Sequence, residues 1–160
     1  MNKTHLLQLI TDRLQFDLDI AQRAAQTAYE AATHEENIAE NKYDTLGLEA
    51  SYLAAGQARR VEEIRQSLAL YRQASAKPFD ESRGIQVGDL VTLESANGET
   101  RYLFLGADAA GLKIQANDCL VTVITARAPL GQSLIGKLQD DSVEIVVNGQ
   151  HQVFEITQVL

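Results

Sequence analysis

The stretch HEENIAENKYD concentrates four carboxylates within eleven residues. The oxygen-bearing side chains are Glu35, Glu36, Glu40 and Asp44, with the amide of Asn37 among them. Glu36 and Glu40 lie four residues apart, a spacing at which like charges in a helical turn repel by about 0.2–0.5 kcal/mol. Proteins commonly hold Mg²⁺ by one or two carboxylates together with water and phosphate oxygens. The stretch is therefore a candidate site for a hard cation, and the simpler alternative is a solvated turn.

Other catalytic signals are missing from the sequence. His5, His34 and His151 are far apart and have no companion cysteines, which disfavours a structural zinc site. The chain has no phosphate-binding glycine motif and no recognisable nucleophile motif. Cys119 stands in the apolar run CLVTVIT and is predicted to be a buried, inert thiol. The sequence therefore does not indicate a self-contained enzyme.

Composition narrows the function classes further. The 160 residues are 45% hydrophobic and carry a net charge of -8, with no cluster of lysine or arginine, which argues against direct binding to nucleic acid. The N-terminal residues lack the apolar core of a signal peptide, and no run approaches the roughly 20 apolar residues of a membrane span. We therefore expect a cytoplasmic protein without a membrane partner.

Two long helices must position the acidic stretch. Residues 4–76 contain no proline, and apolar residues recur at helical spacing. The predicted stripe of the first helix is Leu7, Ile10, Leu14, Leu18, Ala21, Ala25, Ala28 and Ala32. The predicted stripe of the second is Leu46, Ala50, Leu53, Gln57, Val61, Ile64, Leu68 and Tyr71. Two narrow stripes of this kind predict an antiparallel coiled coil that folds back near Ala39, with the acidic stretch at its tip.

The C-terminal half has a different period. We interpret residues 77–84 as a linker, because Pro78 and small or charged residues interrupt the helical pattern. Apolar residues then alternate, and Asn97-Gly98 and Asn148-Gly149 each predict a hairpin. Pro129 is placed to begin one short helix. The sequence thus predicts an α+β protein: a coiled-coil hairpin over residues 1–76 and a mostly antiparallel sheet domain with one helix over residues 85–160.

Specific segments resemble the bacterial GreA/GreB family of transcript-cleavage factors. ARAPLGQSLIGKLQDDSVEI is similar to the family segment S-P-L-G-x-A-L-x-G-K-x-x-G-D-x-V-E-V, and it is followed by a glycine turn and the final strand FEITQV. ENKYD and GQARRVEEIRQSL resemble the family's tip and the helix behind it. The resemblance covers nearly the whole chain and implies that the sheet domain is FKBP-like.

The resemblance also implies a partner, RNA polymerase. Family members dock with the globular domain and insert the coiled coil into the secondary channel, so that they contact nascent RNA only within the polymerase complex. Tip carboxylates there help to hold Mg²⁺ of the polymerase active centre, and the polymerase itself cleaves backtracked RNA. The implied ligands are Glu40 and Glu36, and the implied protein has no cofactor of its own.

The family's tip reads D-x-x-E-N, and two registers fit it. The first places Asn37-Ile38-Ala39-Glu40-Asn41 on the motif, which matches Glu40 to the family's glutamate and leaves Asn37 at the position of the aspartate. The second places Thr33-His34-Glu35-Glu36-Asn37 on it, again without the aspartate. In either case Glu35, Glu36 or Asp44 is available to supply the missing charge.

Three alternatives remain open from the sequence. One is a secondary-channel regulator that binds RNA polymerase without stimulating cleavage. Another is a peptidyl-prolyl isomerase or chaperone, which would need an aromatic-lined pocket in the C-terminal half. There Tyr102 and Phe104 lie on one predicted strand and point to the same face, where a place in the core is the simpler interpretation. The last is a coiled-coil protein whose side binds another helix.

Overall fold

The computed structural model describes residues 1–34 and 45–160. In chain order, the elements are α1 (Lys3–Thr33), α2 (Leu46–Gln73), β1 (Leu90–Ser95), β2 (Thr100–Leu105), β3 (Lys113–Ala116), β4 (Cys119–Ile124), α3 (Pro129–Leu134), β5 (Ser142–Val147) and β6 (Gln150–Val159). The predicted fold class, two N-terminal helices followed by a sheet domain with one short helix, is confirmed. No helix within these ranges combines the length and the apolar character needed to cross a membrane.

The chain forms two compact units, which divide inside the helices. A sheet unit contains Met1–Ile10 together with Leu70–Leu160, and a helical unit contains Thr11–Ala69. The first two turns of α1 and the end of α2 therefore belong to the same unit as the sheet. The predicted division between residues 76 and 77 falls within the sheet unit.

The helical unit is held together by one buried stripe on each helix. Leu14, Leu18, Ala21 and Ala28 are buried on α1, and Val61, Ile64 and Leu68 are buried on α2. The two helices are the described elements of this unit, so each stripe covers the other. Their side chains fall from leucine to alanine along α1 in the direction of Thr33.

The prediction that Leu53 belongs to the stripe of α2 is wrong, because its side chain is 57% exposed. Continuing the alternating spacing of four and three residues back from Val61 gives Gln57, Ala54 and Ala50, and all three are half-buried. A shift of one residue turns a helical position by about 100°, which moves Leu53 off the contact. In the part of α2 nearest the acidic stretch, the half-buried positions of this spacing are therefore the small residues Ala50 and Ala54.

The sheet has six strands in the order β3-β4-β2-β1-β6-β5. Both predicted hairpins are present, joining β1 to β2 and β5 to β6. Asn148 and Gly149 both have positive φ, as a two-residue type I′ turn requires. At the other hairpin only Gly98 has positive φ, and the N–H of Ser95 donates to the carbonyl of Glu99 across a three-residue loop.

One strand pair is the exception in the predicted, mostly antiparallel sheet. β2 and β4 run parallel, with Tyr102 opposite Val121 and Phe104 opposite Val123. The chain leaves β2 for the edge strand β3 and returns through a hairpin to β4, so two reversals give β4 the direction of β2. The sheet is therefore mixed.

Besides the buried Leu90, Phe104 and Val123 on one face of this sheet, a hydrophobic core cluster lies on the other face. It contains Ile85, Val91, Leu93, Leu103, Leu105, Leu134, Val143, Ile145, Phe154, Ile156 and Val159. Alternate residues of each strand point into it, since successive side chains of a strand point to opposite faces. Leu134 brings α3 into the same core.

Candidate functional site

The predicted tip ligands lie outside the described residues. They are Glu35, Glu36, Asn37, Glu40 and Asp44. Of this stretch the structure describes His34, and the ligand assignment stays a prediction.

A helix ends before the acidic stretch in the sequence, and another begins after it. At the end of α1, the Thr33 hydroxyl donates to the carbonyl of Tyr29 over 2.9 Å. Before α2, the carbonyl of Thr45 accepts the N–H of Glu49 over 2.8 Å, and the Thr45 hydroxyl donates to the Glu49 carboxylate over 3.2 Å. An acidic side chain in the first turn is also favourable beside the positive end of the helix dipole. Regular helix thus continues to Thr33 on one side and restarts at Leu46 on the other.

Within residues 1–34 and 45–160, no three His, Cys, Asp or Glu side chains are placed to share a metal ion. His151 instead pairs with Glu144 across β5 and β6, with 2.7 Å between Nδ1 and Oε1, and both side chains are exposed. The thiol of Cys119 is half-buried rather than fully buried and lies beside Tyr102, whose pKa it raises through a hydrogen bond.

Polar contacts cluster where the helix ends join the sheet unit. The Lys3 ammonium lies 3.1 Å from Oδ1 of Asp89, and their side chains are 9% and 10% exposed. Oδ2 of Asp89 accepts the N–H of Gln86 over 2.8 Å, and its carbonyl accepts the N–H of Leu105 over 2.9 Å. Asp89 therefore connects the start of α1, the turn before β1 and the end of β2.

Tyr71 makes the corresponding contact for α2. Its hydroxyl donates to the carbonyl of Asp108 over 2.7 Å, and its ring lies 6.5 Å from that of Phe104. Burial is the main cause that raises the pKa of Tyr71, the negative charge of Asp108 raises it further, and the hydrogen bond lowers it in part. The Asp108 carboxylate in turn lies 2.9 Å from the guanidinium of the largely exposed Arg127.

Sequence reasoning missed Lys3, Asp89 and Asp108. The signal for Lys3 was available, because it precedes the buried residue Leu6 by three positions and the buried residue Ile10 by seven. The predicted stripe contained Leu7, which is half-buried, instead of the fully buried Leu6.

The segment that carries the strongest family resemblance is accounted for by the fold. Pro129 opens α3, where its missing N–H costs nothing. A Cβ at Gly131 would collide with the carbonyl of Thr125, and a Cβ at Gly84 would collide with the backbone of Gly136. The pattern PLGQSLIG therefore encodes close backbone packing around α3.

Comparison with known proteins gives one curated sequence match, to the transcription elongation factor GreA of Vibrio cholerae serotype O1. The two sequences are 28% identical over 102 residues, which are 62% of this chain and 60% of the relative. The match thus spans about three fifths of the relative's length. It supports the predicted resemblance to the GreA/GreB family. No protein-family model matches the sequence.

Solved structures of similar description were also found. GreA factor homolog 1 (Gfh1) of Thermus thermophilus is 18% identical, with 94% of each chain covered and a TM-score of 0.38. Gfh1 of Thermus aquaticus is 22% identical, with 92% of each chain covered and a TM-score of 0.41. A GreA/GreB factor of Nitrosomonas europaea is 18% identical over 64% of this chain and 90% of that one, with a TM-score of 0.39.

Proposed function

From its similarity to GreA, we propose that this chain is a Gre-like transcription elongation factor that binds RNA polymerase. In this proposal the paired helices enter the secondary channel and carry the acidic stretch to the polymerase active centre. There the stretch stimulates cleavage of backtracked RNA, and contact with nascent RNA occurs only within that complex. The chain itself is not an enzyme under this proposal, and a cytoplasmic location follows from it.

The observation that carries the proposal is the acidic stretch between the ends of two packed helices. In the part nearest that stretch, Ala21 and Ala28 are buried on α1, and Ala50 and Ala54 are half-buried on α2. Small side chains at the contact allow two helices to approach closely. A narrow pair of helices suits entry into a channel, and the carboxylates lie between the two helices in the sequence.

The proposed role of the tip is to lend ligands to a metal that belongs to the polymerase. Glu40 and Glu36 would hold Mg²⁺ together with water and phosphate oxygens, and the ion supplies charge stabilisation and an activated water for hydrolysis. Glu35 and Asp44 are the further carboxylates of the stretch. The chain's own contribution is to position these oxygens, and it binds no cofactor of its own.

Asn37 supports a second candidate, a factor that occupies the same channel and regulates the polymerase without stimulating cleavage. In the first register Asn37 stands where the family has an aspartate. An amide oxygen is neutral, so it attracts Mg²⁺ less strongly than a carboxylate does. The two candidates share the partner and differ in whether RNA is cleaved.

The test of the partner is co-elution of the full-length chain with purified bacterial RNA polymerase at low salt. We expect a complex under both candidates. Absence of a complex would refute both and would leave the isomerase and helix-binding alternatives.

The test of the tip is RNA cleavage in a purified, backtracked elongation complex. We expect Asn37→Asp to cleave faster than the native chain, because it restores the missing charge. Glu40→Ala should lower any cleavage by at least about tenfold, a loss typical of weakened metal coordination. The control is Glu81→Ala, which removes an exposed carboxylate outside the tip and should have no effect. Binding without cleavage, by the native chain and by Asn37→Asp alike, would favour the regulator.

A further inference from the structure

A pocket of about 280 Å³ lies within the sheet unit, on the face of β2 opposite the hydrophobic cluster that contains Leu103 and Leu105. Leu103 and Leu105 point into the core, so Phe104 between them points to the other face and lines the pocket. Ligand pockets typically range from about 300 to 1,000 Å³, which makes this one suited to a ligand smaller than a drug-sized molecule.

Part of the pocket lining consists of exposed apolar side chains. Leu70 is 45% exposed and Val87 is 50% exposed, and both line it together with Leu7 and Phe104. Single exposed apolar residues are ordinary on a protein surface, whereas these two converge on one concavity with a buried aromatic ring. The lining therefore offers a place for an apolar or aromatic group.

The charged lining residues favour an anion. Lys3, Lys77 and Asp89 are the charged residues of the lining. The ammonium of Lys3 pairs with the Asp89 carboxylate at 3.1 Å, so the two charges of this buried pair cancel. Lys77 is exposed and leaves one positive charge beside the apolar surface.

We propose that this pocket binds a small amphipathic anion. Its apolar or aromatic group lies against Leu70 and Val87, and its acid group pairs with Lys77. This site is separate from the acidic stretch and does not depend on polymerase binding.

The test is a titration of the full-length, ¹⁵N-labelled chain with 4-phenylbutyrate, followed by NMR. We expect saturable shifts of the backbone amides of Gly88, Gly106 and Ala107, which line the pocket. The uncharged analogue 4-phenylbutan-1-ol should bind more weakly. Lys77→Gln should raise the Kd for 4-phenylbutyrate about two- to fivefold, the range of an exposed ion pair. Val87→Asp should raise it at least about tenfold, because it places a like charge beside the acid group.

The matched control is Lys113→Gln, which removes an exposed lysine from the edge strand β3 outside the pocket lining and should leave the Kd unchanged. Three results would overturn the proposal: no saturable shifts at these amides, equal affinity for the alcohol, or an equal effect of Lys77→Gln and Lys113→Gln.

Discussion

Removing the cation of the Lys3–Asp89 pair should strongly destabilise the sheet unit. Lys3→Met keeps a long apolar side chain in the first turn of α1 and removes the ammonium. The Asp89 carboxylate, which is 10% exposed, then remains buried without its counter-charge. Asp89 is also fixed in place by its hydrogen bonds to Gln86 and Leu105, so it cannot easily turn to solvent.

The size of the effect follows from the burial of both partners. Breaking a buried ion pair by removing one partner costs about 3–5 kcal/mol, because an uncompensated charge is left behind. We expect a loss of about 3 kcal/mol, the lower end, since Oδ2 of Asp89 keeps the N–H of Gln86 as a donor. With an m-value of about 2 kcal/mol/M, the urea midpoint should fall by about 1.5 M.

The measurement is urea unfolding of the full-length chain, followed by the NMR signals of β1 and β2 so that the sheet unit is observed by itself. The matched control is Arg127→Met, which removes the exposed partner of Asp108 in the same unit and should cost no more than about 1 kcal/mol. A loss for Lys3→Met no larger than that for Arg127→Met would refute the reasoning and show that Asp89 is solvated in solution.

Two further predictions concern α2. Tyr71→Phe should cost about 1 kcal/mol through the lost bond to the Asp108 carbonyl, measured by urea unfolding near pH 8. Because the pKa of Tyr71 is raised on folding, its contribution to stability is complete below the unfolded-state pKa near 10 and declines above it. The difference in unfolding free energy between the native chain and Tyr71→Phe should therefore shrink near pH 11. A difference that stays constant with pH would contradict the assignment. Leu68→Ala should cost about 2–4 kcal/mol, whereas Leu53→Ala should stay within about 0.5 kcal/mol, because Leu68 is 2% exposed and Leu53 is 57% exposed. The measurement is urea unfolding followed by circular dichroism. Equal losses of unfolding free energy for the two variants would show that Leu53 is buried with the other stripe residues.

Local patterns in the sequence predicted the elements well, because each depends on neighbouring residues. The two Asn-Gly pairs predicted both hairpins, and Pro129 predicted the start of α3. Along α2, the spacing predicted the buried residues from Val61 to Tyr71, where side chains are large. It misplaced Leu53, since alanine and glycine nearer the acidic stretch mark the contact only weakly.

Contacts between residues far apart in the sequence were harder to predict. The parallel pairing of β2 with β4 depends on β3 lying at the edge, and no pattern within β2 or β4 specifies that position. The bond between Lys3 and Asp89 joins residues 86 positions apart, which short-range periodicity cannot detect. The functional assignment of the acidic stretch depended on family resemblance, because its ligands act only with groups supplied by the polymerase in the proposed mechanism.

The contacts of Lys3 and Tyr71 also determine how polymerase docking must be tested. A fragment that begins after residue 76 lacks both side chains, although both belong to the compact sheet unit. In such a fragment Asp89 would lose its counter-charge, Phe104 would lose the ring of Tyr71, and the 280 Å³ pocket would lose the part of its lining that α1 and α2 provide. Failure of that fragment to bind polymerase would therefore report the loss of these contacts as readily as the absence of a docking surface. Point substitutions in the full-length chain keep the sheet unit intact, so a change in binding can be attributed to the substituted side chain.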